Sequence, residues 1–279
     1  EGYFISHSFD VTSLSRLDRE HVVAVEVTCA PQSGTTGRRN ITGIFQTPDG
    51  IGPSRNPGGL WRPVSLYDTG PVRIDRLRVL CRDADARRAH LRIATRLDSD
   101  RLTPVTMRTY VDGEQVDEQH QSIAAGQNDF EWAIDITDPA LWWPRALGDQ
   151  PLVEVAVEVV VDDDVSDRRE RRTGLRQLVW DDWICSVNGE KLFLKGANLL
   201  PTELGPANAS PAMIQRDLAA AVALGLDAVR VRGHIADRPL YDAADEAGIL
   251  LLQDFPLQWG HARSVRQQAV EQARAAVDS

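Results

Sequence analysis

Lysine is almost missing from this sequence. Lys191 and Lys195 are the only two, so nearly all of the basic charge is arginine. Cysteine is also scarce: Cys29, Cys81 and Cys185 lie far apart and form no C-x-x-C pair. An odd, scattered set of three fits neither a disulfide framework nor a zinc site. Buried free thiols, packing as small hydrophobes, are the expectation, and a reducing, cytoplasmic setting fits them. Long apolar runs are absent as well. A helix needs about 20 apolar residues to span a bilayer, and the valine-rich stretch 153–161 is interrupted by acids. No membrane partner is therefore expected. Nor is there an excess of positive charge: the formal net charge is −10, which disfavours the clustered positive field of a nucleic-acid surface.

What is present is an ordinary globular composition, 42% hydrophobic and 26% charged. At 279 residues the chain exceeds one domain of roughly 100–200 residues. It opens on Glu1 in a stretch that already reads as strand, so a preceding piece is expected. Three regions separate by pattern. Residues 1–70 alternate short β patterns with polar loops, including 30–39 and a loop with Pro53, Asn56 and Pro57. His21–Val27 and Leu60–Tyr67 read as strands there, within a partial β-sandwich. Residues 71–178 carry strand patterns at 72–79, 90–97, 105–111, 130–136 and 153–161, with a closing strand at about 172–178. That spacing predicts an immunoglobulin-like sandwich. The charged stretch 162–172 reads as a solvated turn.

From residue 179 the pattern changes to α/β. Asn188-Gly189 marks a hairpin. Parallel strands are expected at 193–197, 227–231 and 249–252. Ser210-Pro211 opens a helix that Gly225 ends, a second helix follows Asp237, and a third covers about 261–277. A closed (β/α)8 barrel needs eight such strands and about 250 residues. These would be the first three β/α units of an incomplete TIM barrel, truncated within the chain, and its open edge makes an oligomer an expectation.

Ligands of a parallel sheet bind beyond the carboxyl ends of its strands. That places Asn198, Arg230, His234 and Asp254 as candidate substrate-binding residues. Arg230 and Asp254 end adjacent strands, where they form either a structural ion pair or a pair that positions a polar substrate. His234 is a loop histidine, a ligand contact or a structural group. Asn198 either bonds a hydroxyl-rich ligand or satisfies the loop backbone. Trp259 either stacks on a sugar or packs under the third helix. No two histidines stand at metal-ligand spacing, and no nucleotide or serine-hydrolase motif is present. No cofactor is expected, and a carbohydrate suits these polar groups best.

Several motifs in order then resemble glycoside hydrolase family 2, the group of β-galactosidases, β-glucuronidases and β-mannosidases. Gly58-Gly59-Leu60-Trp61-Arg62-Pro63-Val64 looks like the end of the family's sugar-binding jelly roll. Leu141-Trp142-Trp143-Pro144, with 148–152 after it, looks like the late part of its immunoglobulin-like domain. Phe193-Leu194-Lys195-Gly196-Ala197-Asn198 resembles the entry to its barrel, and 241–249 with Gln253-Asp254-Phe255 its second helix and third strand. The tryptophan-proline and Gln-Asp-Phe segments look like the β-mannosidase branch. Where that branch has Arg-Val-Trp-Gly, this chain has Arg230-Val231-Arg232-Gly233.

The resemblance implies a β-glycoside substrate and a retaining exo-glycosidase mechanism with two glutamates. It places both glutamates after the fourth and seventh barrel strands, beyond this chain, so no catalytic residue is assigned within it. Glu203, Glu246 and Glu271 match neither motif. A non-catalytic carbohydrate-binding or protein-binding β-sandwich protein remains the alternative.

Overall fold

The computed structural model describes residues 2–14, 19–29, 34, 36–45 and 58–278. The expected loop at 53–57 and part of that at 30–39 lie outside the described residues.

The centre of the molecule is a seven-stranded sandwich of two antiparallel sheets. Its strands are β1 (Val72–Ala84), β2 (Arg88–Ser99), β3 (Thr103–Val111), β4 (Glu114–Ile123), β5 (Gly126–Thr137), β6 (Val153–Val161) and β7 (Asp164–Thr173). One sheet has the order β1-β2-β5, the other β4-β3-β6-β7. In β2 every second residue, from Ala89 to Ser99, is buried, the period-2 pattern of a strand with one face on a core. Leu91, Ile93 and Leu97 meet Val105, Met107, Val155, Val157 and Val159 from the facing sheet. The two sheets are tied at one corner by Ser166. Its hydroxyl donates to the Val72 carbonyl at 2.6 Å and accepts from the Val72 amide at 2.8 Å.

Two of these strands depart from the pattern-based expectation. The charged stretch 162–172 is not a solvated turn: only Asp162 and Asp163 turn, and β7 then pairs with β6 from Val161–Asp164 to Val153–Thr173. Both aspartates have positive φ (50° and 70°), as a type I′ hairpin turn requires. The strand is polar because one edge and one face meet solvent. β4 is equally polar, and its hydrogen-bonded ladder to β3 runs from Thr103–Ile123 to Val111–Glu114. Charged edge strands of this kind resist unwanted pairing.

A small antiparallel sheet follows, β8 (Leu178–Asp181), β9 (Ile184–Val187) and β10 (Glu190–Leu192), with the β9–β10 turn at Asn188-Gly189. The expected closing strand at 172–178 is thus split between the end of β7 and the start of β8. Then come three parallel strands, β11 (Gly196–Leu199), β12 (Ala228–Val231) and β13 (Leu250–Gln253), in that order. The first begins three residues later than its apolar pattern suggests. Its pairing starts where the Lys195 carbonyl accepts from the amides of Asp227 and Ala228, and Phe193 is left 86% exposed.

Helix α1 (Pro211–Ala223) is capped by Ser210, whose side chain accepts from the Met213 amide. Gly225, at φ +68°, follows its end. Helix α2 (Arg238–Ala247) ends on Gly248 in the left-handed region. The third helix, α3 (Arg266–Asp278), starts later than expected, after one 3-10 turn at Arg263–Val265. Ile214, Leu218, Leu240 and Ala244 of α1 and α2 cover Val229 and Val231 on one face of the parallel sheet.

The first 70 residues correct the expectation of a partial jelly roll: among the described residues no strand forms before Val72. Val22 in the valine-rich run 21–27 is 91% exposed. Alternating apolar residues define a face, but a strand also needs a neighbour for its backbone groups. Leu60–Tyr67 is likewise unpaired and mostly exposed. Parts of this region dock elsewhere. Tyr3, Phe4, Phe45 and Trp61 join Ile235, Phe255 and Ala276 in a separate cluster over the parallel unit.

Candidate substrate-binding site

The open face of the parallel sheet is lined by alternate residues of its strands. Asn198 is the register partner of Arg230, and Arg230 of Leu252. The odd neighbours, Leu199, Val229, Val231 and Leu251, turn toward the helices. A cavity of about 380 Å³ lies over the open face, lined by Leu194, Gly196, Asn198, Ala228, Arg230 and Leu252 among others. Ala228 also belongs to a buried cluster with Trp142, Cys185, Val187 and Leu250.

Arg230 Nε donates to Asp254 Oδ1 at 2.8 Å. The hydrogen bond to that carboxylate pushes the guanidinium pKa upward, so Arg230 stays charged. Asp254 is positioned from its backbone, its amide donating to the Val231 carbonyl at 3.2 Å. The Arg230 guanidinium, paired with Asp254, and the exposed Asn198 amide thus meet at one cavity. Between them they offer donors and acceptors suited to hydroxyl groups. Among the described residues no three His, Cys, Asp or Glu side chains gather as metal ligands.

His234 is the candidate that the fold sets apart. It is only 5% exposed and meets the Phe45 ring edge-on at 6.3 Å between centroids. Its Nδ1 lies 3.0 Å from the Arg232 carbonyl oxygen. A carbonyl can only accept, so Nδ1 carries the proton. Burial pushes the imidazole pKa below its ordinary range, against the opposite pull of that carbonyl. His234 is therefore neutral, and its role is under the segment 38–45.

That segment crosses both rim loops. The Ile44 amide donates to the Gly233 carbonyl at 2.9 Å, the Arg38 amide to the Gly260 carbonyl at 3.1 Å, and the Ala262 amide to the Arg38 carbonyl at 2.9 Å.

The geometry also adds two residues to the candidates. Gln253 Nε2 donates to the carbonyls of His234 and Asp254, each at 2.6 Å, and its Oε1 accepts from the Tyr241 hydroxyl at 2.6 Å. Burial pushes the Tyr241 phenol up to about 12, so it remains a donor. Gln253 thereby joins the loop after β12 to the loop after β13, and α2 to both. Its place at a strand end is legible in sequence; Tyr241 carries no signal beyond a polar tip on a helix facing the sheet. Glu246 lies on α2 and pairs with Arg172 of the sandwich at 2.9 Å, and Glu271 lies on α3 beside Gln267.

Known proteins place this arrangement. Residues 72–176 match the model of glycosyl hydrolases family 2. The chain is 25% identical to beta-mannosidase B of Aspergillus niger, over 97% of this chain and 36% of that protein. It is 28% identical to an exo-beta-D-glucosaminidase of Arthroderma benhamiae, over 73% of this chain and 25% of that one. A beta-D-mannosidase from Dictyoglomus thermophilum has the same fold over 75% of this chain and 28% of its own, with a TM-score of 0.67 at 21% identity.

The fold is thus a β-sandwich followed by a parallel α/β segment, similar to that of the Dictyoglomus thermophilum structure. The chain resembles glycosyl hydrolases family 2, whose model matches residues 72–176, and the likeness to beta-mannosidase B extends over most of its length. It spans about a third or less of the length of these curated relatives.

Proposed function

We propose that this chain supplies the scaffold and part of the sugar-holding rim of a retaining, exo-acting β-glycosidase. The observation that carries the reading is the Arg230–Asp254 pair. It sits at the carboxyl ends of adjacent parallel strands, and its Arg230 lines one cavity together with Asn198. The family match and the β-mannosidase and β-glucosaminidase names of the relatives support a β-glycoside as substrate.

In this reading 1–70 stand in the place of the family's jelly roll, 71–178 are its immunoglobulin-like domain and 179–279 open its (β/α)8 barrel. The three strand ends would then be the first three of eight.

A double displacement needs two carboxyl groups about 5–5.5 Å apart, one as acid and base, the other as nucleophile. Asp254 follows β13 and is held by Arg230, and Glu203, after β11, matches neither catalytic motif. In this reading the two glutamates belong to other strands of the complete barrel. The residues here bind and orient: Arg230 and Asp254 grip hydroxyls on one sugar, Asn198 adds an amide, and Gln253 fixes the height of both loops.

The test is a panel of aryl β-mannoside, β-galactoside and β-glucosaminide substrates. A protein joining these residues to a complete barrel cleaves one of them with net retention at the anomeric carbon, read by proton NMR, and Arg230→Ala raises KM. Inversion of configuration, or cleavage indifferent to Arg230, would contradict the reading.

A further inference from the structure

The Arg62 guanidinium joins the N-terminal segment to a loop 174 residues away. Its Nη1 donates to the Phe4 carbonyl and its Nη2 to the Ala236 carbonyl, each at 3.0 Å. Its Nε lies 3.7 Å from Asp237 Oδ1, and the guanidinium stands over the Trp61 ring at 4.5 Å. Trp61 holds the same N-terminal segment, its indole donating to the Tyr3 carbonyl at 2.9 Å. Burial pulls the Arg62 pKa down, and Asp237 pushes it back up.

As glue this is a poor device. Taking a guanidinium out of water costs much of what its bonds return. What a planar fork adds is geometry, because it fixes where two carbonyls stand. Asp237 gives the same indication. It is the N-cap of α2, where an aspartate ordinarily accepts from an amide of the first turn. Yet its side chain makes no cap bond and meets Arg62 instead. A residue that forgoes its local bond marks a place where another constraint acts.

The constrained segment is the loop after β12, which runs from Arg232 to Asp237. Gln253 holds that loop at the His234 carbonyl and bonds the Asp254 carbonyl with the same nitrogen. Tyr241 connects the two supports: its hydroxyl bonds Gln253, and it meets the Ala236 backbone and the Arg62 charge. The position of the loop thus reaches Asp254 through Gln253, and Arg230 through Asp254. We propose that Arg62 is a positioning residue of the rim: it sets the loop after β12 through Ala236 and Asp237, and the grip of Arg230 and Asp254 on a sugar depends on it. This rests on reading the cavity as a β-glycoside site.

Calorimetric titration of the chain with the methyl β-glycosides of mannose and glucosamine tests it. Arg62→Ala is expected to weaken binding roughly tenfold. In the sugar-free protein the NMR signal of the Arg230 Nε–H group should also move, because its bond to Asp254 is displaced. Arg62→Lys keeps the charge but loses the planar fork. It should move the same signal and weaken binding about threefold, and it serves if Arg62→Ala does not fold. Trp61→Phe is the comparison. It frees the Tyr3 carbonyl, keeps a ring under Arg62 and should leave affinity within about twofold. Unchanged affinity in the Arg62 variants, an unmoved Arg230 signal, or an equal loss in Trp61→Phe overturns the proposal and leaves the site reading intact. Wild-type protein that binds neither glycoside removes the site reading and this proposal together.

Discussion

The Trp142 indole nitrogen donates to the Asp245 carbonyl oxygen at 2.8 Å, joining the β5–β6 connection of the sandwich to the end of α2. Trp142 is 1% exposed, and the Arg176 guanidinium lies 4.5 Å from its ring. Its own amide bonds to Leu175, and its carbonyl accepts from Asn188. One residue therefore fastens the sandwich, the β9–β10 hairpin and the parallel unit. Trp142→Phe leaves the Asp245 carbonyl without this donor and opens space in the core. A loss of about 1–3 kcal/mol is expected for the orphaned group alone, read from the denaturant midpoint. An unchanged midpoint would mean that the junction is not held here.

Gly43 and Gly37 make a matched pair. Their φ values are +58° and +66°, so alanine costs each of them about 1–2 kcal/mol of backbone energy. Space differs. A Cβ on Gly43 would lie 1.8 Å from the Gly233 carbonyl oxygen, whereas one on Gly37 meets nothing within 4 Å. Gly43→Ala must therefore also break the Ile44–Gly233 bond. Hydrogen exchange at the Ile44 amide should accelerate strongly in Gly43→Ala and little in Gly37→Ala. Equal effects would show that the segment is not latched at Gly233.

The buried His234 gives the fold an acid sensitivity of known sign. Its folded pKa lies below the unfolded value of about 6.5 because burial disfavours the charged ring. As pH falls below about 6.5 the unfolded chain takes up a proton that the folded one refuses. The stability that neutral His234 contributes is thus full above that range and declines as pH drops through the folded pKa. His234→Gln keeps an N–H for the Arg232 carbonyl and should flatten the fall in urea midpoint between about pH 7.5 and 5. Burial also lowers His261, so part of the slope should remain.

Arg230 and Asp254 should matter little to folding. The arginine side chain is 51% exposed, and ion pairs in such positions contribute little to stability. Arg230→Ala is expected to leave the denaturant midpoint nearly unchanged while removing sugar binding. A large loss of stability would make the pair a structural rim contact.

How much of this was legible in the sequence follows from where each strand gets its stability. β2 announces itself because one face is buried along its whole length. β4 and β7 are held by backbone ladders at the polar margins of their sheet, and side-chain patterns carry no trace of a ladder. Val22 and Val23 mislead in the other direction, with the pattern of a strand but exposed and outside every strand of the described residues. At the site, Arg230 and Asp254 were legible as neighbouring strand ends. The burial of His234 was not, because the ring that covers it, Phe45, is remote in sequence. The Tyr241–Gln253 bond depends on how α2 sits against β13, which no local motif encodes.

The most direct test of the account is a sugar titration of the chain itself, with hydrolysis followed in the same tube. Backbone and side-chain NMR signals should shift at Asn198, Arg230 and Asp254 on adding an aryl β-mannoside or β-glucosaminide, and no free phenol should appear. The shifts should vanish in Arg230→Ala. Release of phenol by the chain alone, or the absence of any shift at those residues, would contradict a sugar-holding rim whose catalytic carboxylates lie on other strands.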